Sequence, residues 1–311
     1  QAAVTPLPEP EFVLGGRRGQ NTTYLPGAPG TLYLSDSSFW PRPVMGGGGL
    51  LLIPGFTSWN PASLAVTNSA FALPDGFELN VTGDISLDAA GELILNGGTA
   101  ACGGSLTAGG KYASLLLNDS ALLSCGADFT VTNTGLAYLH AGAAPRPEGA
   151  SATPVSVGGA LRIATNSLLF ACSNPTNGGS FAFRVGSLAV AAGGRISGNA
   201  FGFRPGVVNT GRGFGPGGGR DGGGGGYGGG GGPAYYGGVN AGGPAYGSET
   251  APVDPGSGGG RHSAGYYGGP GGGLVHVEAA GDVRVEGTIS VNGAAGREQG
   301  GGGSGGGIYI R

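Results

Sequence analysis

The chain has 311 residues, of which 75 are glycine, 39% are hydrophobic and only 11% carry charge, for a net charge of −3. A typical soluble domain has about 25% charged residues and about 7% glycine. The balance excludes a basic nucleic-acid binder, and the longest apolar runs fall short of the ~18 residues of a membrane-spanning helix.

The first residue is Gln1, not methionine, so removal of a leader is expected. Sequons at Asn21, Asn80 and Asn118 agree with a secreted, glycosylated protein. Residues 1–30 form a proline-rich arm (Pro6, Pro8, Pro10, Pro26, Pro29) that favours an extended chain over a helix. Within it Phe12, Val13 and Leu14 make a short strand-like apolar patch, suited to docking on a neighbouring subunit. Residues 31–76 are expected to be a capping or irregular β segment, with Trp40 and Trp59 packed into a core or cap.

Residues 77–210 have a different texture. Apolar residues recur as i, i+2 pairs, each the mark of a one-sided strand: Ile85/Leu87, Leu93/Leu95, Leu115/Leu117, Phe129/Val131, Val155/Val157, Leu161/Ile163, Leu168/Phe170, Phe181/Phe183 and Leu188/Val190. Glycine, asparagine, aspartate and alanine separate them. Three strands make a repeat of roughly 22 to 25 residues, which predicts an all-β parallel β-solenoid, or β-helix. The competing fold, a sandwich of hairpins, calls for more Asn-Gly or Asp-Gly two-residue turns. Cys102 and Cys125 are one repeat apart and are candidates for a disulfide between stacked coils; Cys172 is left over.

Residues 211–273 are rich in glycine, tyrosine and proline. They fit either a flexible linker or an ordered insertion of extended glycine helices. With three residues per turn, such helices have no internal hydrogen bonds and must bond to one another. The ordered insertion is the expectation, with tyrosines covering its outside. Residues 274–311 return to solenoid coils with Val275/Val277, Val283/Val285 and Ile289/Val291. The last strand, Ile308, Tyr309 and Ile310, carries no polar cap, and an uncapped strand invites pairing with another copy.

Catalytic signatures are poor. Gly213–Gly218 matches GxGxxG, but Pro216 spoils the turn and no strand–turn–helix unit surrounds it. Arg212, Arg220 and Arg261 are too sparse for an RNA-binding glycine–arginine segment. His276 and Glu278 share a strand face, yet two ligands are not a metal site. Asp84, Asp88, Asp282 and Glu286 fall at corners or edges, and no pair of acids stands ready for glycoside chemistry. No catalytic residue, metal or cofactor is expected beyond covalent glycans.

The run Leu-Ala-Val-Ala-Ala-Gly-Gly-Arg-Ile-Ser-Gly-Asn (188–199), the glycine tract, the segment from Gly273 to Val283 and the close at 301–310 together resemble glycine-rich β-solenoid proteins of microbial and algal cell surfaces. The resemblance spans residues 155–311 and is one of texture. It implies secretion and a surface or matrix role, and it carries over no catalytic residue. The expected function is the repeating subunit of an extracellular filament or sheath, a homopolymer grown by end-to-end strand stacking. The alternatives are an adhesin, ice-binding or glycan-binding solenoid, for which Thr130, Thr132 and Thr134 offer a short row, and a solenoid polysaccharide lyase or hydrolase using Asp84 or Asp282.

Overall fold

The computed structural model describes residues 31–33, 44–45, 49–52, 54–67, 70–111, 113–119, 121–142, 153–207, 211–234, 241–262 and 266–311. Phe12, Val13, Leu14, Asn21, Trp40 and the rest of residues 1–30 lie outside them. No helix occurs among the described residues.

The strands stack in three parallel lanes, one strand per lane in each coil. The first lane runs Thr31–Tyr33, Gly49–Leu52, Ala70–Ala72, Glu92–Asn96, Ser114–Asn118, Leu136–His140, Leu168–Cys172, Arg195–Ser197 and Thr288–Ser290, a 9-stranded sheet. The second holds Ser58–Trp59, Glu78–Val81, Thr99–Cys102, Leu122–Cys125, Leu274–Ala279 and Gly307–Ile310. The third holds Val44–Met45, Leu64–Thr67, Ile85–Asp88, Leu106–Gly109, Phe129–Thr132 and Val283–Val285. Thr153–Ile163 and Phe181–Val190 pass through the second and third lanes without a break, joining both into one 14-stranded sheet. All these pairings are parallel, so the chain forms the expected solenoid and not a sandwich of hairpins.

Register explains the repeat. Leu93, Leu115 and Ala137 stand one above another, as do Ile85, Leu106 and Phe129. The hydrogen-bonded side chains of Asn96 and Asn118 lie 22 residues apart. Alternation turns every second residue inward, and a one-residue slip would send the whole apolar set outside. The inward residues form one continuous core that includes Phe71, Leu79, Leu87, Phe129 and Phe183. The stack begins earlier than the sequence suggests. Segments 31–76, expected to be a cap, already supply strands to the lanes, and Trp59 packs edge-on against Phe71 at 6.2 Å between ring centres.

Corners are built from small residues for steric reasons. A Cβ at Gly126 would strike the carbonyl of Gly103, one at Gly158 that of Gly126, and one at Gly186 that of Gly158. Only glycine lets successive corners nest this closely. Aspartates secure the same corner: Asp84 Oδ1 accepts the Ser105 N–H at 2.7 Å, and Asp128 Oδ1 accepts the Ala160 N–H at 2.7 Å. The next corner uses two-residue turns with positive φ at Ala89 and Ala90 (41° and 64°) and at Asn133 and Thr134 (49° and 64°). Such turns are familiar from hairpins, but here they redirect the chain into the neighbouring lane of the same coil.

The glycine tract leaves the stack after Arg195–Ser197 and returns at Leu274–Ala279. Its described residues form a bundle of extended segments, and the segment between Thr288–Ser290 and Gly307–Ile310 belongs to it. Backbone bonds between neighbouring segments advance by three residues on both sides. Gly256 N–H bonds to Gly272 O and Gly259 N–H to Gly269 O, and the Gly269 and Gly272 amides bond to Gly301 O and Ser304 O. Gly301 and Ser304 in turn donate to Gly260 O and Ser257 O. That is the periodicity of a threefold extended helix whose peptide groups find partners only sideways. Most of these glycines are required by close approach: a methyl group at Gly271 would meet the Gly256 carbonyl, and one at Gly306 the Gly273 carbonyl. Tyr246 and Tyr227 pack edge to face on the flank, with ring centres 5.0 Å apart.

Two substitutions separate steric need from composition. Gly271→Ala is expected to destabilise the protein by about 2 kcal/mol or more through overpacking. Gly229→Ala meets nothing within 4 Å and is expected to leave the melting temperature unchanged. Thermal melts of the two variants check the contrast.

Candidate functional site

The last coil differs from the coil beneath it. Val283 and Val285 stand in register over Leu188 and Val190, and Ile308 and Ile310 over Val275 and Val277. The lower residues are 0–1% exposed, whereas Val283, Val285 and Ile308 are 43%, 41% and 39% exposed. These are core positions by register and surface positions by circumstance, since among the described residues no further coil lies over them. Ile289, over Ile196 in the first lane, and Ile310 remain partly covered by the core.

The strand edges are open as well. Among the described residues Val283–Val285 pairs only with Phe181–Val190, Thr288–Ser290 only with Arg195–Ser197, and Gly307–Ile310 only with Leu274–Ala279. Natural edges are blunted by lysine, proline or a bulge, and none of these three strands contains lysine or proline. Among the described residues the face therefore offers apolar side chains beside three strands that pair on one side only.

Charge is kept to the outer wall. Arg184 Nε bonds to Glu278 Oε2 at 3.1 Å, and the Arg311 guanidinium bonds to Glu278 Oε1. The Arg311 hydrogen bond, with a smaller contribution from Arg184, holds the Glu278 carboxyl below its ordinary range against a modest desolvation. His276 Nε2 lies 3.5 Å from Glu278 Oε1, and its ring packs against Tyr309 at 5.2 Å. The His276–Glu278 face is thus part of an ion-paired outer wall, and no group of three metal-ligating side chains occurs among the described residues.

The other residues singled out in the sequence are dispersed. Asn80 is exposed on the outer face of the second lane. Asn118 donates its side-chain amide to Asn96 Oδ1 at 2.9 Å. Cys102 and Cys125 face each other across adjacent coils as free, buried thiols, whereas Cys172 stands opposite His140 in the first lane. Thr130 and Thr132 alternate outward, but Thr134 sits in the corner turn, so the row ends at two. A longer hydroxyl series runs across the coils: Ser86, Thr107 and Thr130 form one column. Asp84 is committed to the Ser105 amide.

One strand is phased opposite to expectation. Leu169 and Ala171 point inward, while Leu168 and Phe170 are only partly buried. Phe170 stacks on the outer side against Tyr138 at 4.3 Å between ring centres, and Phe201 meets it edge-on at 5.7 Å. The run Leu168–Leu169–Phe170–Ala171 is apolar throughout, so period-2 reasoning has no polar residue with which to fix the phase. The exposed valines of the last coil were legible only as another i, i+2 pair, because their exposure depends on position in the stack.

The Asp128 carboxyl is held below its ordinary value by the Ala160 N–H and then by Arg162. A depressed carboxyl contributes stability that is complete above its unfolded pKa, about 3.9, and disappears as pH falls through the lower folded value. Asp128 and Glu278 both have this sign, while burial holds the His140 imidazole below its ordinary value, so its neutral form loses ground as pH falls through the unfolded value of about 6.5. The melting temperature is expected to decline modestly below about pH 6.5 and more steeply below about pH 4. Asp128→Asn is expected to flatten part of the steeper fall, as read by circular dichroism melts across the range. No protein-family model matches the chain, and neither curated proteins nor solved structures show a significant similarity to it.

Proposed function

We propose that the chain is a structural subunit of an extracellular filament or sheath, in which the last coil of one copy is continued by strands of the next. The observation that carries this reading is the exposure of Val283, Val285 and Ile308 at positions that the coil below buries completely. Covering them returns apolar surface to a core, at about 25 cal/mol per Å², and supplies backbone partners to three open edges at once. A contact that joins one end to a different end is heterologous, and when copies stack along the coil axis, so that no rotation closes a ring, it propagates as a filament. Secretion, glycans at Asn80 and other sequons, and docking of the proline-rich arm on a neighbour belong to the same proposal. A structural role also fits the use of Asp84 and Asp128 as corner fasteners.

A second reading is a binding solenoid, an adhesin or an ice- or glycan-binding protein. The column Ser86, Thr107 and Thr130 on a flat outer face favours it. The two readings use different surfaces, so they separate cleanly.

Negative-stain electron microscopy and sedimentation of the purified protein provide the test. Filaments that lengthen with concentration are expected. Val285→Lys, which places a charge among the uncovered core positions, is expected to reduce polymer mass at least tenfold while leaving the circular dichroism spectrum intact. Compact particles at all concentrations would remove the filament reading. Thr107→Lys is expected to leave polymerisation untouched and to abolish ice or glycan binding if the flat face is the functional surface.

A further inference from the structure

We infer that Cys102 and Cys125 form a disulfide staple between adjacent coils, a covalent modification site buried inside the solenoid. The inference concerns the wall of the stack, away from the uncovered end, and stands independently of polymerisation. Parallel register sets Cys102 directly opposite Cys125, on strands Thr99–Cys102 and Leu122–Cys125. Neighbouring strands lie about 4.8 Å apart, within the ~4.4 to 6.8 Å between Cα atoms that a disulfide spans. Both side chains turn inward by the alternation of their strands, and each residue is 4% exposed. The Cys102 thiol donates to the Gly104 carbonyl at 3.5 Å, a weak bond for a disulfide to break, and both cysteines are free.

The surrounding column shows what is special about this rung. In register, Val81 stands on one side of the pair and Val157 on the other, both buried. An inward valine is the ordinary filler of this position, and two successive coils replace it with cysteine. Cys172 has no part in the column: it faces His140 in the first lane. The spacing of the three cysteines alone leaves its pairing open, whereas the register excludes it.

The chemistry requires an external oxidant, and a small disulfide such as oxidised glutathione suffices. The thiolate form of either cysteine can begin the exchange; in one order Cys102 loses its proton and is the first nucleophile. Its sulfur attacks one sulfur of the small disulfide and expels one glutathione thiolate. Cys125 then gives up its proton and attacks the Cys102 sulfur, expelling the second glutathione thiolate. Two electrons pass from the protein thiols to the oxidant, and two reduced glutathione molecules are released. Burial keeps both sulfurs from solvent in the closed stack. The bond therefore forms while the coils assemble or open, and once covered it resists reduction.

Peptide mapping by mass spectrometry tests the inference. The protein is isolated directly in thiol-blocking buffer and, in parallel, is unfolded and refolded in a mixture of oxidised and reduced glutathione. A linked peptide joining Cys102 to Cys125, lighter than the free pair by two hydrogen atoms, is expected, with Cys172 carrying the blocking group. The oxidised protein is expected to melt about 5 °C above the reduced one. Cys125→Val restores the ordinary filler and is expected to fold, to give no linked peptide and to lose the oxidation-dependent gain in melting temperature. Three blockable thiols in both preparations would overturn the inference. So would a linkage through Cys172, or a gain in melting temperature that persists in Cys125→Val.

Discussion

The whole molecule depends on one constraint: each coil takes its backbone partners from the coils above and below, in a fixed register. Parallel pairing sets Leu93 over Phe71 and Leu115 over Leu93, and the inside of each coil becomes the floor for the next. Once one coil has its apolar residues facing in, its neighbour can satisfy both hydrogen bonding and burial only by copying the pattern. The core is thereby propagated along the axis without helices or a second sheet to cover it. The same constraint leaves the last coil unsatisfied among the described residues, because its inward valines and isoleucines have a floor there but no ceiling.

The glycine bundle obeys the same accounting through different geometry. Extended threefold segments have no internal hydrogen bonds, so the amides of Gly256, Gly269 and Gly301 all find carbonyls on neighbouring segments. Interlocking at that distance leaves no room for side chains, and a Cβ at most of these positions would run into a neighbouring carbonyl. Glycine loses more conformational freedom on ordering than any other residue. The lateral hydrogen-bond network offsets this loss. Arg204 over Phe214, 4.0 Å from the ring centre, and the Tyr227–Tyr246 pair seal the flanks.

Much of this architecture could be read in the sequence, because each inward pair is flanked by polar or small residues. Ile85/Leu87, Phe129/Val131 and Val275/Val277 all fall on strands with the expected residues buried. The ordered glycine insertion was legible from the need of bare backbone for regular partners. Local signals failed where they were ambiguous. Leu168–Ala171 has no polar residue to set its phase, and the short segments before residue 77 lack the repetition that identified later coils. The final strand Gly307–Ile310, on the end surface of the described stack, was legible as a strand. That Val283 and Val285 share that surface was not, since nothing in a residue's own neighbourhood reports how many coils lie above it.

The unbroken passage of Phe181–Val190 through two lanes lies immediately before the long glycine detour and pairs with the strands that follow it. Leu188 meets Val283 although the whole glycine excursion lies between them in the chain, and the lanes resume as if nothing intervened. Under tension along the axis, the two sides of that seam part only when backbone bonds break in all three lanes together. The bundle adds bulk beside the shaft but no weak joint within it, so mechanical continuity is independent of the length of the excursion.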